Sequence, residues 1–151
     1  MKYNNDFKLY NVIFPIWMLL IFPTAWIAVL PANFIVDSLV LIIAAKQIGI
    51  WSREIYKKHI IKVWIFGFIA DLIGAALMLG AMWLFELDIQ PDDLRMTIPA
   101  TLITALLIFI LNYSICFKDL YKKARLRMAL SFAIFTAPYT FLIPLSWIYG
   151  F

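Results

Sequence analysis

Long apolar runs, interrupted only by short charged segments, constrain this chain more than any other feature of its sequence. Hydrophobic residues make up 65% of the 151 residues, and the mean hydropathy is +0.91. Soluble domains contain about 45–50% apolar residues, and they show polar faces at a regular helical or strand period. The chain is therefore expected to be an all-α, polytopic integral membrane bundle, with residues 1–151 forming a single transmembrane domain.

Five segments are long enough to cross a bilayer. A transmembrane helix needs about 20 mainly apolar residues for a hydrocarbon core about 30 Å thick, and this predicts spans at about residues 12–30, 34–51, 63–85, 97–117 and 128–150. Residues 31–33 leave room for only a tight turn between the first two spans, and Pro31 is typical of a helix end. These two spans are therefore expected to form an antiparallel hairpin.

The basic residues predict how the bundle is oriented. If the N-terminus is cytoplasmic, only Arg95 of the 13 lysine and arginine residues falls outside, and the acidic segment at 86–95 lies on the outer side. Short cytoplasmic loops carry an excess of lysine and arginine. The pattern therefore predicts a multi-pass protein of the cell membrane, with the N-terminus inside and the C-terminus outside.

Two basic segments, SREIYKKH at 52–59 and KDLYKKARLR at 118–127, lie in the expected cytoplasmic loops. Topology and attraction to anionic lipid are sufficient to explain both. Binding of nucleic acid would require basic residues gathered on a soluble face, so no nucleic-acid partner is expected. Anionic lipid headgroups are the expected partners of six residues: Arg53, Lys57, Lys58, Lys122, Lys123 and Arg125.

Asp71 is the only charged residue in the apolar segment 66–80. An aspartate at the centre of a membrane helix costs roughly 2.5–3.5 kcal/mol, and Asp71 lies about 12 Å in from Val63. Gly67, Gly74 and Ala81 share its helix face, and small residues allow a neighbouring helix to approach closely. Asp71 is therefore expected to face a helix interface, either as a cation or proton site or as a neutral carboxyl that joins helices.

Two residues at a similar depth are candidate partners for Asp71. Asn112 shares a face of the fourth span with Thr101 and Thr104, and its amide could donate to a carboxylate. Lys46 could form an ion pair with Asp71, or its side chain could extend to the cytoplasmic headgroups. These residues are therefore candidates for binding an ion or substrate, and geometry favours the headgroups for Lys46.

Asp37 also belongs to the candidate set. It follows the predicted turn by one helical turn, so water, Arg95 or outer hydroxyl groups could satisfy it. The segments FIVD at 34–37 and FIAD at 68–71 both end in aspartate. The two aspartates would lie at different depths in the predicted helices, and a four-residue match arises by chance as readily as from an inverted repeat, so no prediction is based on it.

An enzymatic function is not indicated by the sequence. Cys116 and His59 are the only residues of their types, so neither a disulfide within the chain nor a Cys/His metal cluster is expected. No catalytic motif surrounds His59. We therefore expect no catalytic residue, metal or cofactor.

Two functions remain open. The first is an ion- or proton-coupled transporter or channel subunit that uses Asp71. Five helices are few for a complete pathway, so this function implies a homo-oligomer or a membrane partner protein. The second is a non-transporting accessory, assembly or sensor subunit, in which Asp71 and the glycine face form a docking surface.

Overall fold

The computed structural model describes residues 22–84 and 94–143, of which 88% are helical and none is in a strand. A short 3₁₀ turn, Pro23–Ala25, leads into α1 (Trp26–Ile48), which is followed by α2 (Arg53–Leu84) and α3 (Leu94–Leu111). A π-helical turn, Asn112–Cys116, extends α3, and α4 (Lys122–Phe135) is followed by a 3₁₀ helix, Tyr139–Leu142. The expected all-α fold is thereby confirmed for the described residues.

Three of these helices are long and apolar enough to cross a membrane: Pro23–Ile48, Arg53–Leu84 and Leu94–Cys116. The outer surface of α1 carries large apolar side chains, among them Ile27 at 81% and Ile35 at 60% exposure. The buried polar or charged residues are Asp37, His59, Thr97, Thr101, Thr104 and Asn112. Soluble proteins show the reverse arrangement, whereas a bundle in lipid turns its polar groups inward.

The predicted turn at residues 31–33 is wrong, because α1 continues through Pro31 as one helix. A proline inside a helix removes one hydrogen bond, but α1 is held against α2 on both sides of this position. Phe34 packs edge-on against Trp64 with ring centroids 5.6 Å apart, and Trp64 Nε1 donates to Leu30 O at 2.9 Å. Tertiary contacts therefore override the local preference of proline for a helix end.

The predicted spans change accordingly. Residues 26–30 and 34–48 belong to one helix rather than to a hairpin, while residues 1–21, which include most of the first predicted span, lie outside the described residues. The third and fourth predicted spans correspond to α2 and to α3 with its π-helical turn. Both chain termini and the acidic residues at 86–93 also lie outside the described residues, so the total number of spans and the position of the N-terminus inside remain predictions.

The fifth predicted span, 128–150, is not one continuous helix, because α4 ends at Phe135. Pro138 has no N–H and disfavours helical geometry in the preceding residue. Thr136 closes the helix, since both its backbone N and its Oγ1 donate to Phe132 O, at 2.9 and 2.8 Å. Tyr139–Leu142 then packs against α3, with Phe141 only 1% exposed. Residues 144–150 of this span lie outside the described part of the chain.

The two basic segments meet at one end of the bundle. His59 Nδ1, on α2, donates to Cys116 O at 2.8 Å, and Lys58 Nζ lies 2.5 Å from Asp119 Oδ2. A well-packed apolar layer lies next to this end and includes Leu41, Val63, Ile108, Phe117, Met128 and Phe132, each at most 1% exposed. The end formed by Leu84 and Leu94 is therefore opposite to the basic end.

Candidate functional site

Asp71 lies in the middle of α2 and faces α1. Asn33 Nδ2 donates to Asp71 Oδ2 at 3.5 Å, a long hydrogen bond. Asp71 Oδ1 is buried and has no hydrogen-bond partner within the described residues. The carboxyl group therefore points into the bundle and retains unused capacity to bind a proton or cation.

Asp37 reaches the same place from α1. Its side chain is 5% exposed, and no hydrogen bond to it is found in residues 22–84 and 94–143. It lines a cavity of about 30 Å³ together with Asn33, Val36, Gly67, Asp71 and Thr136. A cavity of this size can hold one water molecule or an ion of similar size.

Simple helix geometry brings these residues together. Asn33 and Asp37 are four residues apart on α1, as are Gly67 and Asp71 on α2, so each pair lies on one helix face. A Cβ atom at Gly67 would lie 3.6 Å from Asp37 Oδ2, so this glycine lets the carboxyl of α1 pack directly against the α2 backbone. The aspartates of the FIVD and FIAD segments therefore line one cavity, and the expectation of different depths is wrong.

The C-terminal end of α4 and the residues that follow it form the third wall of the cavity. Thr136, the first residue after α4, lines it, and residues 135–140 line an adjoining vestibule of about 370 Å³. The C-terminal end of a helix carries partial negative charge on its carbonyl groups. No lysine or arginine is among the residues that line the two cavities. The electrostatic environment therefore favours a cation.

The cavity adjoins a larger space on the side away from the basic end. The vestibule includes Val29 near the start of α1 and Tyr139 beyond the end of α4, so it extends away from the basic end. On the opposite side, Leu41, Val63 and Phe132 each lie about one helical turn from a cavity residue, and none is more than 1% exposed. This apolar layer separates the two carboxyl groups from the basic loops.

Asn112, one of the two candidate partners of Asp71, makes a different hydrogen bond. Its Nδ2 donates to Ile108 O at 2.9 Å, and its Oδ1 is buried without a hydrogen-bond partner in the described part of the chain. The predicted pairing is therefore wrong. Asn33 takes this role because α1 is continuous across residues 31–33, which places Asn33 one turn from Asp37 instead of in a loop.

The two threonines are satisfied by their own helix. Thr101 Oγ1 donates to Thr97 O at 2.8 Å, and Thr104 Oγ1 donates to Ala100 O at 2.9 Å. Thr104 packs against Gly74, one turn from Asp71 on α2. The structure therefore places these threonines beside the acidic cavity rather than in its lining.

Lys46 lies away from both aspartates. Its side chain is exposed near the end of α1, and its Nζ is 5.8 Å from the centroid of the Trp51 ring. Of the predicted packing residues, Gly67 and Gly74 contact neighbouring elements, whereas Ala81 is only partly buried. Lys46 is thus positioned to reach the headgroup region, the alternative that sequence geometry favours.

Sequence reasoning missed Asn33 and Thr136. Asn33 could have been found from its spacing of four residues before Asp37, which predicts one helix face once a turn at Pro31 is not assumed. Thr136 had no comparable signal, because its position depends on α4 ending before Pro138. Both residues add polar groups to a cavity whose other polar side chains are the two carboxyls.

The six residues expected to contact anionic lipid divide into two groups. Arg53, Lys57, Lys122 and Lys123 are exposed at the basic end. Lys58 is paired with Asp119, and the Arg125 guanidinium lies 4.0 Å from the Tyr113 ring centroid. Partial burial opposes ionisation of Asp119, but the hydrogen bond from Lys58 lowers its pKa below the usual value. The first group remains available to lipid headgroups.

Within residues 22–84 and 94–143, no group of three or more His, Cys, Asp or Glu residues could hold a metal ion. Comparison of the chain with protein-family models, with curated proteins and with solved structures finds no match.

Proposed function

We propose that this protein is a multi-pass cell-membrane protein that binds a proton or a cation at Asp37 and Asp71 and acts as a transporter or channel subunit. The observation that carries the proposal is the meeting of these two carboxyls, from different helices, beside the C-terminal end of α4. Ionisable groups deep in membrane helices often mark ion or proton pathways. Several transporters use interrupted helices whose carbonyl ends coordinate cations.

The electrostatics of the cavity support cation binding. An isolated carboxylate is costly in apolar surroundings, so each aspartate requires either a proton or a cation. Asn33 donates only a long hydrogen bond to one oxygen of Asp71, which leaves the remaining carboxyl oxygens available as ligands. A cation that enters the cavity would replace a proton on the carboxyl groups. Binding of the cation is therefore coupled to release of the proton.

The proposed orientation places the basic end in the cytoplasm, according to the positive-inside tendency. The vestibule then opens toward the outer side, and the apolar layer beside Leu41 and Phe132 closes the site toward the cytoplasm. Transport requires that this layer separate in a second conformation. The four α-helices of the described residues are few for a complete pathway, so in this proposal a second copy or a membrane partner completes it.

The accessory function uses the same residues as an external docking surface. In the structure, Gly74 is covered by Thr104 and Phe141, and Gly67 is covered by Asp37. The glycine face is thus used within the chain. No feature of the described residues favours docking over cation binding, so we retain transport as the proposal.

Flux measurements in liposomes test this function. The purified full chain is reconstituted with a pH-sensitive dye inside, and proton movement is followed after a potassium, sodium or pH gradient is imposed. Asp71→Asn removes the carboxylate while keeping the shape of the side chain, so flux should be abolished. Asp119→Asn, which changes a carboxyl at the basic end, is the matched control and should retain flux. Equal flux in wild type and Asp71→Asn, with loss of a co-purifying partner, would support the accessory function instead.

A further inference from the structure

We infer that the ligand of the acidic site is a lipophilic monovalent cation, an organic cation with an apolar body, that enters sideways from the bilayer between α1 and α4. This inference rests on the proposed function and specifies its substrate class. It depends on three adjoining spaces that share lining residues: the cavity of about 30 Å³, the vestibule of about 370 Å³ and a groove of about 290 Å³ on the outer surface.

The vestibule has the size and chemistry of a small-molecule site. Such sites have volumes of about 300–1,000 Å³ and are mainly apolar with a few well-placed polar groups. Val29, Ala32 and Val36 supply apolar walls, and Asp71 supplies the charge. Phe135 and Tyr139 also line the vestibule, and aromatic rings of this kind attract cations.

The groove connects this site with the surface of the bundle that faces lipid. It runs between α1 and α4, and its lining is mostly apolar: Val36, Leu39, Val40, Ile43, Ala44, Gln47, Ser131 and Phe135. Val36 lines the groove, the vestibule and the cavity, and Phe135 lines the first two. These two side chains are 44% and 67% exposed. They form the rim through which an apolar molecule would pass from the bilayer to the acids.

The carboxyl groups provide an independent indication of a charged ligand. Asp37 is 5% exposed, lines the cavity and has no hydrogen bond in the described residues, and Asp71 Oδ1 is buried and unpaired there. A small inorganic cation would occupy only the inner cavity and would leave the apolar vestibule without a role. An organic cation fills both spaces, with its charge beside the carboxyls and its apolar body in the vestibule.

Tetraphenylphosphonium and tetraphenylborate are suitable probes, because they have nearly the same shape and opposite charge. Their binding to the full chain in detergent is measured by equilibrium dialysis. Wild type should bind the cation and not the anion, and binding should release protons into a weakly buffered solution. Asp71→Asn should weaken binding of the cation roughly 30-fold or more, as expected for removal of one partner of a buried charge pair.

Two tryptophan variants of α1 test the lateral path. Val36→Trp places a large ring at the rim and should weaken binding of the cation, whereas Ile35→Trp, at a neighbouring position that lines none of these three spaces, should not. Equal affinity for the two probes, or equal cation binding by wild type and Asp71→Asn, would overturn the inference. Flux that depends on Asp71 without binding of tetraphenylphosphonium would also overturn it and leave the proposed function intact. Binding without flux would instead overturn the proposed function.

Discussion

Small side chains on α2 determine how closely the neighbouring helices approach. Gly67 leaves space for Asp37, and Gly74 lies against Thr104 and Phe141. A membrane helix gains little from hydrophobic burial, because lipid is as apolar as the core, so close packing between small residues supplies much of the association energy. The position of Asp71 beside these contacts therefore depends on the two glycines as much as on its own hydrogen bond.

Replacement of Gly74 should destabilise the bundle. In Gly74→Ala the new Cβ would collide with Thr104 Oγ1 and lie 3.1 Å from Phe141 Cε2, and overpacking of this kind costs about 1–3 kcal/mol. Thermal unfolding in detergent can be followed with a thiol-reactive dye, since Cys116 is the only cysteine and is 0% exposed. We expect the variant to unfold at a lower temperature than wild type.

Gly80→Ala is the matched control, because nothing lies within 4 Å of a Cβ atom placed at that position of the same helix. It should unfold near the wild-type temperature. Equal melting temperatures for Gly74→Ala and wild type would contradict the close packing of α2 against α3.

The inward direction of Asp71 could be predicted from the sequence, because the cost of exposing a carboxylate to lipid excludes other directions. Its partner could not. Asn112 and Asn33 are both plausible by depth, and the choice between them depends on whether α1 begins before or after Pro31. The turn expected at Pro31 placed Asn33 in a loop, and the continuous helix instead places it beside Asp71.

The end of α4 within the predicted fifth span is the feature that distinguishes this bundle from a set of simple spans. Unpaired backbone groups are costly in lipid, so non-helical segments occur at membrane depth only where protein or a water-filled cavity covers them. Here Tyr139–Leu142 packs against α3, and Phe141 fills the space beside Gly74. The 3₁₀ helix therefore holds the wall of the vestibule in place.

Truncation of Phe141 should release this wall. Phe141 is 1% exposed, so Phe141→Ala should lower stability by up to about 3 kcal/mol, a value below that for soluble cores because only packing is lost to lipid. Phe135→Ala is the control of the same type, since Phe135 is 67% exposed. The Cys116 dye assay compares the two variants, and similar melting temperatures would show that the 3₁₀ helix is not docked as described.

Two of the prolines in apolar runs, Pro31 and Pro138, show why helix boundaries were harder to predict than the helices themselves. Pro31 lies inside α1, whereas Pro138 follows the end of α4. Contacts of Phe34 and Trp64 stabilise the helix around Pro31. Before Pro138 the helix has already ended, and the hydroxyl group of Thr136 donates a hydrogen bond to Phe132 O. Both outcomes depend on tertiary contacts, which hydropathy does not report.

At the scale of the whole molecule, charge is sorted along the bundle axis. The segments that contain Lys58 and Asp119 are joined by an ion pair, and His59 links α2 to the end of α3. An exposed ion pair contributes little energy, but these contacts place both basic segments at one end. The distribution of basic residues in the sequence predicted this arrangement, because two loops on the same side of a membrane lie at the same end of the bundle.

Cysteine labelling in intact cells tests the orientation. Lys57→Cys and Lys123→Cys place a thiol in each basic segment, and both positions are exposed. A membrane-impermeant maleimide should not label either variant until the cells are opened. Leu94→Cys, at the opposite end and 54% exposed in the wild type, should be labelled from outside, and buried Cys116 should give little background. Labelling of only one basic segment from outside would refute the shared end.

The acids of α1 and α2 meet across a short connection, residues 49–52, in which Gly49 adopts a φ of 82°. Each helix alone would present its aspartate to lipid on leaving the translocation channel, at a cost of roughly 2.5–3.5 kcal/mol. Side by side, the two helices shield both carboxyls. During synthesis, α1 is therefore expected to remain at the lateral gate until the ribosome has delivered α2, so that the pair enters the bilayer as one unit.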